Sequence, residues 1–126
     1  MKLKSDDIKL FVYRPDDGSV SPDVKIVHQA SGKEYISDEF ETQIENRRTC
    51  LVDLIKDLSK KYSEISLPEF ILFDTVRTTP PNSERSGIII ELVWHFKNCE
   101  WNYYIESDGK RISKRFIEAD LQPSII

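Results

Sequence analysis

Cysteine is scarce in this 126-residue chain: Cys50 and Cys99 are the only two. Two thiols cannot build the disulfide framework of a small secreted protein, so a reduced, cytoplasmic setting is expected. The four glycines, Gly18, Gly32, Gly87 and Gly109, are scattered, and no glycine-rich loop is present to cradle a phosphate. Only two histidines occur, His28 and His95, and neither has a zinc-site neighbour. His95 and Cys99 lie four residues apart, about 13 Å in an extended strand, too far to share a metal. No apolar run approaches the roughly 20 residues of a membrane-spanning helix. The opening stretch, MKLKSDDIKLFVYRPDD, lacks the apolar core of a signal peptide. There is no excess of basic residues either. With 18 Lys and Arg against 22 Asp and Glu, the net charge of −4 argues against a nucleic-acid binder.

What is present is periodic. IKLFVYR (8–14), DVKIVHQ (23–29) and KEYIS (33–37) read as strands separated by the turn formers PDDGS and ASGK. From residue 38 the period changes. Phe40, Ile44, Leu51, Leu54, Ile55, Leu58 and Tyr62 recur at steps of three, four or seven, which predicts one amphipathic helix over about 38–63. Ser37 is placed to cap it, with Asp38, Glu39 and Glu41 in its first turn and Lys60 and Lys61 in its last. Strands are then expected in EFILFDTVRTT, IIIELVWHF, WNYYIES and KRISKRF, with Asp108-Gly109 closing a tight hairpin. The basic KRISKRF segment suits a charged edge strand.

The expected architecture is a single α+β domain over residues 1–126. Its order is β-β-β-α-β-β-β-β, an antiparallel sheet of about six or seven strands with the helix across one face. In IIIELVWHF, Ile88, Ile90, Leu92, Trp94 and Phe96 should share the helix-facing side. Phe70 and Leu72 oppose Ile71 and Phe73, and Trp101, Tyr103 and Ile105 oppose Tyr104. Apolar side chains are therefore expected on both faces of the sheet; the helix covers one, and the other is packed within the fold, by the N-terminal strands for example, or meets a second copy or another protein. Acids are also uneven. Residues 16–45 hold eight (Asp16, Asp17, Asp23, Glu34, Asp38, Glu39, Glu41, Glu45) against Lys25 and Lys33, a net −6 that suits a basic partner.

The closing segment WNYYIESDGKRISKRFIEADL (101–121) resembles the end of the YezG-like immunity family, whose members neutralise bacterial toxins. Trp101, Gly109, Lys110 and Asp120 carry the resemblance and read as structural. It implies a non-catalytic inhibitor that binds a toxin domain directly, without metal or cofactor. Trp101, Tyr103 and Tyr104 are the expected anchors, and Asp38, Glu39, Glu41 and Glu45 the expected steering acids. Two other readings stand beside it. One is a chaperone-like assembly protein that forms a homodimer through the sheet. The other is a small-molecule-binding domain using His95 and Tyr104. No nucleic-acid or membrane partner is expected.

Overall fold

The computed structural model describes residues 1–124. It is an α+β protein with one α-helix and two antiparallel sheets, one of six strands and one of three. Packing divides the chain into two compact units. The larger comprises Met1–Ser5 and the chain from Tyr62 onward; the smaller is Asp6–Lys61.

The smaller unit holds β2 (Ile8–Val12), β3 (Val24–His28) and β4 (Glu34–Ser37), ordered β2-β3-β4, with helix α1 (Gln43–Leu58) packed on β3 and β4. Alternation in β3 buries Val24, Ile26 and His28 against the helix. The helix offers Asn46, Cys50, Leu51, Leu54 and Ile55 in return. It begins five residues later than its apolar pattern suggests. Thr42, not Ser37, is the cap: its Oγ1 accepts the Glu45 amide at 3.2 Å. Ser37 ends β4 instead and is buried. With the start displaced, Phe40 and Tyr62 lie outside the helix, and Ile44 is 65% exposed on its outer side.

The larger unit is ordered β8-β7-β6-β5-β9, with β1 (Lys2–Lys4) also pairing with β6. Its strands are β5 (Thr75–Thr78), β6 (Ser86–His95), β7 (Glu100–Ser107), β8 (Lys110–Arg111) and β9 (Leu121–Pro123). The β7–β8 hairpin closes as its sequence demands, with Asp108 and Gly109 at φ of 53° and 76°. Gly87 is required by contact, since a Cβ there would sit 2.6 Å from the Glu106 carbonyl oxygen.

Three expected strands are altered. KRISKRF keeps only two strand residues, Lys110 and Arg111, at the sheet edge; beyond them only a bridge from Tyr103 to Phe116 remains. In EFILFDTVRTT the strand waits until Thr75. Phe73 has φ of 72°, Asp74 Oδ2 accepts the Ile71 amide, and Phe70, Ile71 and Leu72 are all buried in a turn rather than alternating. In β6 a bulge between Ile89 and Glu91 shifts the parity. Ile89, Leu92 and Trp94 are buried, whereas Ile88 and Phe96, expected beside them, are each 45% exposed.

Candidate functional site

The aromatic residues singled out in β7 build the larger unit's core. Strand pairing sets Trp101 opposite Trp94 and Tyr103 opposite Leu92, so all four share one face. Trp101 is 1% exposed, meets Trp94 edge to face at 5.4 Å and donates from Nε1 to the Ser66 carbonyl at 2.8 Å. Tyr103 is fully buried; its hydroxyl donates to Glu118 Oε1 at 2.9 Å and accepts the Phe70 amide at 3.4 Å. Burial, reinforced by Glu118, pushes its phenol pKa far above the ordinary range. Both indole and phenol tips are spent inside the unit, so these two residues are not exposed anchors.

The opposite face of this sheet carries charge as well as the partly exposed Ile88. Glu91 of β6 is 2% exposed yet ionised. Its Oε1 lies 2.9 Å from Lys2 Nζ and its Oε2 lies 2.7 Å from an Arg111 guanidinium nitrogen. Burial alone would raise its pKa, but the two cations outweigh this and hold it below the usual carboxylate range. Tyr104, paired opposite Glu91, is half-buried beneath Arg111, whose guanidinium carbon lies 4.6 Å from the ring centre. His95 lies farther along β6, opposite Glu100, and its Nδ1 accepts the Asn98 amide at 3.2 Å.

Both units expose some apolar side chains, among them Leu67, Ile88 and Phe96 in the larger, and in the smaller unit they form a row. On the outer face of its sheet, Phe11, Lys25 and Ile36 form one row across three strands. Phe11 is 46% exposed and Ile36 is 68% exposed. Lys25 Nζ sits 4.8 Å above the Phe11 ring and 3.7 Å from Glu34. Tyr13 continues this surface, and a shallow depression of about 260 Å³ lies among Phe11, Tyr13, Asp23, Lys25 and Ile36. Phe11 and Ile36 have no role in the unit's own packing comparable to Val24 or Ile26, which are buried beneath them.

The predicted acids belong to the same unit. Two residues beyond Ile36 the chain enters Asp38–Glu41, where Asp38, Glu39 and Glu41 are exposed and make no ion pair among the described residues. This segment is held in shape by one buried amide. Asn46 Nδ2 donates to the carbonyls of Pro22 at 2.8 Å and Phe40 at 3.0 Å. Its Oδ1 accepts from Ser37 Oγ at 2.8 Å and the Phe40 amide at 3.1 Å. All four of its hydrogen-bonding positions are used. Glu45 sits in the first helical turn, where its carboxylate accepts the Thr42 hydroxyl at 3.0 Å. It also lines a second depression, of about 350 Å³, with Phe40, Arg48, Val52 and Lys56.

The seven expected contact residues are therefore divided. Trp101, Tyr103 and Tyr104 lie in the larger unit, while Asp38, Glu39, Glu41 and Glu45 lie in the smaller. Sequence reasoning missed Phe11, Tyr13 and Ile36, although IKLFVYR carries apolar residues at both strand parities. It also missed Asn46, whose polar side chain interrupts the apolar stripe.

Groups able to do chemistry stay apart. Cys50 is buried, and burial followed by the Asp53 charge pushes its thiol up to about 11. His28 is buried in the smaller unit, with Nδ1 2.8 Å from Ser31 Oγ. Among the described residues, no three His, Cys, Asp or Glu side chains gather to hold a metal. Among the described residues, no helix is long and apolar enough to cross a membrane. No curated protein and no solved structure matches the chain. Residues 55–122, running from the end of α1 through nearly all of the larger unit, match a family of unknown function (DUF6960), and the chain belongs to that family.

Proposed function

We propose that this chain is a non-catalytic protein-binding module that docks a basic protein domain on the outer face of its smaller unit. The most specific form of the proposal is an immunity-type inhibitor that neutralises a bacterial toxin in the cytoplasm. The observation that carries it is the exposed row of Phe11, Lys25 and Ile36, continued by Tyr13 and leading along the chain into Asp38–Glu41. Exposed aromatic and branched side chains in one patch supply anchors, and nearby uncompensated acids steer a cationic partner. The net −6 of residues 16–45 supports that choice of partner. Two free thiols, Cys50 and Cys99, fit a reducing compartment.

The test uses purified, immobilised basic toxin domains, screened for binding to this chain. Association with the wild-type chain should slow by roughly tenfold between low and physiological salt. Charge reversal at Glu39 and Glu41 should slow association to a similar degree. Phe11→Ser should instead hasten dissociation, because anchors act mainly on the off-rate. An association rate indifferent to salt would remove the acidic steering. A tight homodimer that buries Phe11 and Ile36 would replace the proposal with self-assembly, read directly by sedimentation velocity.

A further inference from the structure

The larger unit carries a groove of opposite character. Its first wall is the loop between β5 and β6. Thr78 pins this loop: its Oγ1 donates to the Ser83 carbonyl at 2.6 Å and accepts the Arg85 amide at 2.9 Å. Asn82 is tied to Asp120 Oδ1 at 3.2 Å, and its amide to the Thr79 carbonyl at 3.0 Å. The second wall is the β7–β8 hairpin and the chain after it. Ser107 Oγ donates to the Ser86 carbonyl at 2.7 Å at the floor, and Lys114 Nζ reaches Asn82 Oδ1 from the facing wall. Two joined lobes result, of about 990 and 470 Å³, which share Arg85, Ile112 and Ser113.

The lining is cationic where it is free to act. Arg85 and Lys110 are exposed and make no side-chain ion pair or hydrogen bond among the described residues. Lys114 bonds only a neutral amide and lies 5.7 Å from the Phe116 ring centre. Arg111 also lines the groove but is engaged by Glu91. The hydroxyls of Ser86 and Ser113 are exposed in the lining. Glu84 and Asp108 are the two acids of the rim, and they limit how much negative charge can settle beside them.

We propose that this groove binds a small, multiply phosphorylated molecule through its phosphates. A guanidinium fork, ammonium groups and hydroxyls on walls fixed by hydrogen bonds match tetrahedral phosphate oxygens at more than one point. Two lobes give room for more than one phosphate. A nucleic-acid strand is disfavoured because the groove's one aromatic, Phe116, is 3% exposed and offers no base a stacking surface.

The experiment is calorimetric titration of the full chain with inorganic tripolyphosphate at low salt, with citrate and a short oligothymidylate as comparators. Saturable binding of tripolyphosphate is expected, at least about tenfold weaker in the Arg85→Ala/Lys110→Ala double variant and lost at high salt. Lys61→Ala, in the smaller unit, should bind like the wild type. A matching circular dichroism spectrum and melting curve establish that the double variant is folded, and Arg85→Gln supplies a milder second variant. No saturable binding, or equal binding by the folded double variant, overturns the site. Citrate binding as tightly as tripolyphosphate overturns the phosphate class, and tighter binding of the oligothymidylate puts a strand in its place. None of these readouts involves the protein partner, so the two proposals fail separately.

Discussion

In the larger unit, Trp94, Trp101 and Tyr103 are at most 3% exposed, whereas in the smaller unit Phe11 and Tyr13 are at least 46% exposed. Both sets lie in or beside strands, and both sheets are antiparallel. The difference is what shares each face. Trp101 and Tyr103 have apolar cross-strand partners, Trp94 and Leu92. Phe11 is paired with Lys25, which keeps its ammonium toward water and holds the ring from above. Conversely, the larger sheet's outward side is occupied by a carboxylate clamped between two cations. An aromatic residue is thus buried or exposed according to its neighbours across the strand, not according to the richness of its own segment.

The sharpest way to break this comparison is Trp101→Ala. Loss of the buried indole should cost about 3–5 kcal/mol of unfolding free energy, measured by urea titration. Fluorescence from Trp94, in the larger unit, reports it. A loss below about 1 kcal/mol would mean that Trp101 is not a core residue. Asn46→Ala comes next, at about 2–4 kcal/mol, because several buried backbone and hydroxyl groups lose their partner together. Ellipticity at 222 nm follows α1, in the smaller unit, and hydrogen exchange at the Phe40 amide should accelerate.

Glu91→Ala should cost about 1–2 kcal/mol, since the cations it leaves behind are half exposed and can hydrate. The acid limb of stability gives a cleaner test. The folded pKa of Glu91 lies below the ordinary glutamate value of about 4.5. Its contribution is therefore present above the unfolded pKa and is lost as pH falls through the folded one. Glu91→Gln should flatten the stability profile below about pH 4.5, and an unchanged profile would refute the clamp. Smallest of all, Phe11→Ser and Ile36→Thr should shift stability by no more than about 0.5 kcal/mol. A shift of several kcal/mol would make the outer face part of the core and remove the contact surface.

Much of the fold was legible in the residues themselves. Asp108-Gly109 demanded a hairpin with two positive φ angles, and both are there. Leu51, Leu54 and Ile55 marked the buried side of the helix, and all are inaccessible to solvent. Boundaries were harder. Ser37 and Thr42 are equally good caps by chemistry, and the choice is made by Asn46, whose long-range bonds no local pattern announces. Nor did alternation foresee the bulge after Ile89, which turned Ile88 outward and Ile89 inward. Of the candidate site, the acidic segment was legible as charge, because charge can be counted along a chain. The exposure of Phe11 in β2 and the burial of Trp101 and Tyr103 in β7 were not legible, because strand partners cannot be counted that way.

The larger unit is interrupted in sequence: β1 is made first, and its partner β6 begins at Ser86. During synthesis, Leu3 must wait for about ninety further residues before Leu92 reaches it. All of Asp6–Lys61 emerges in that interval, with its three strands and helix in unbroken succession. The ribosome thus delivers the smaller unit whole while the opening strand is still a loose thread, and the six-stranded sheet is the last to be stitched.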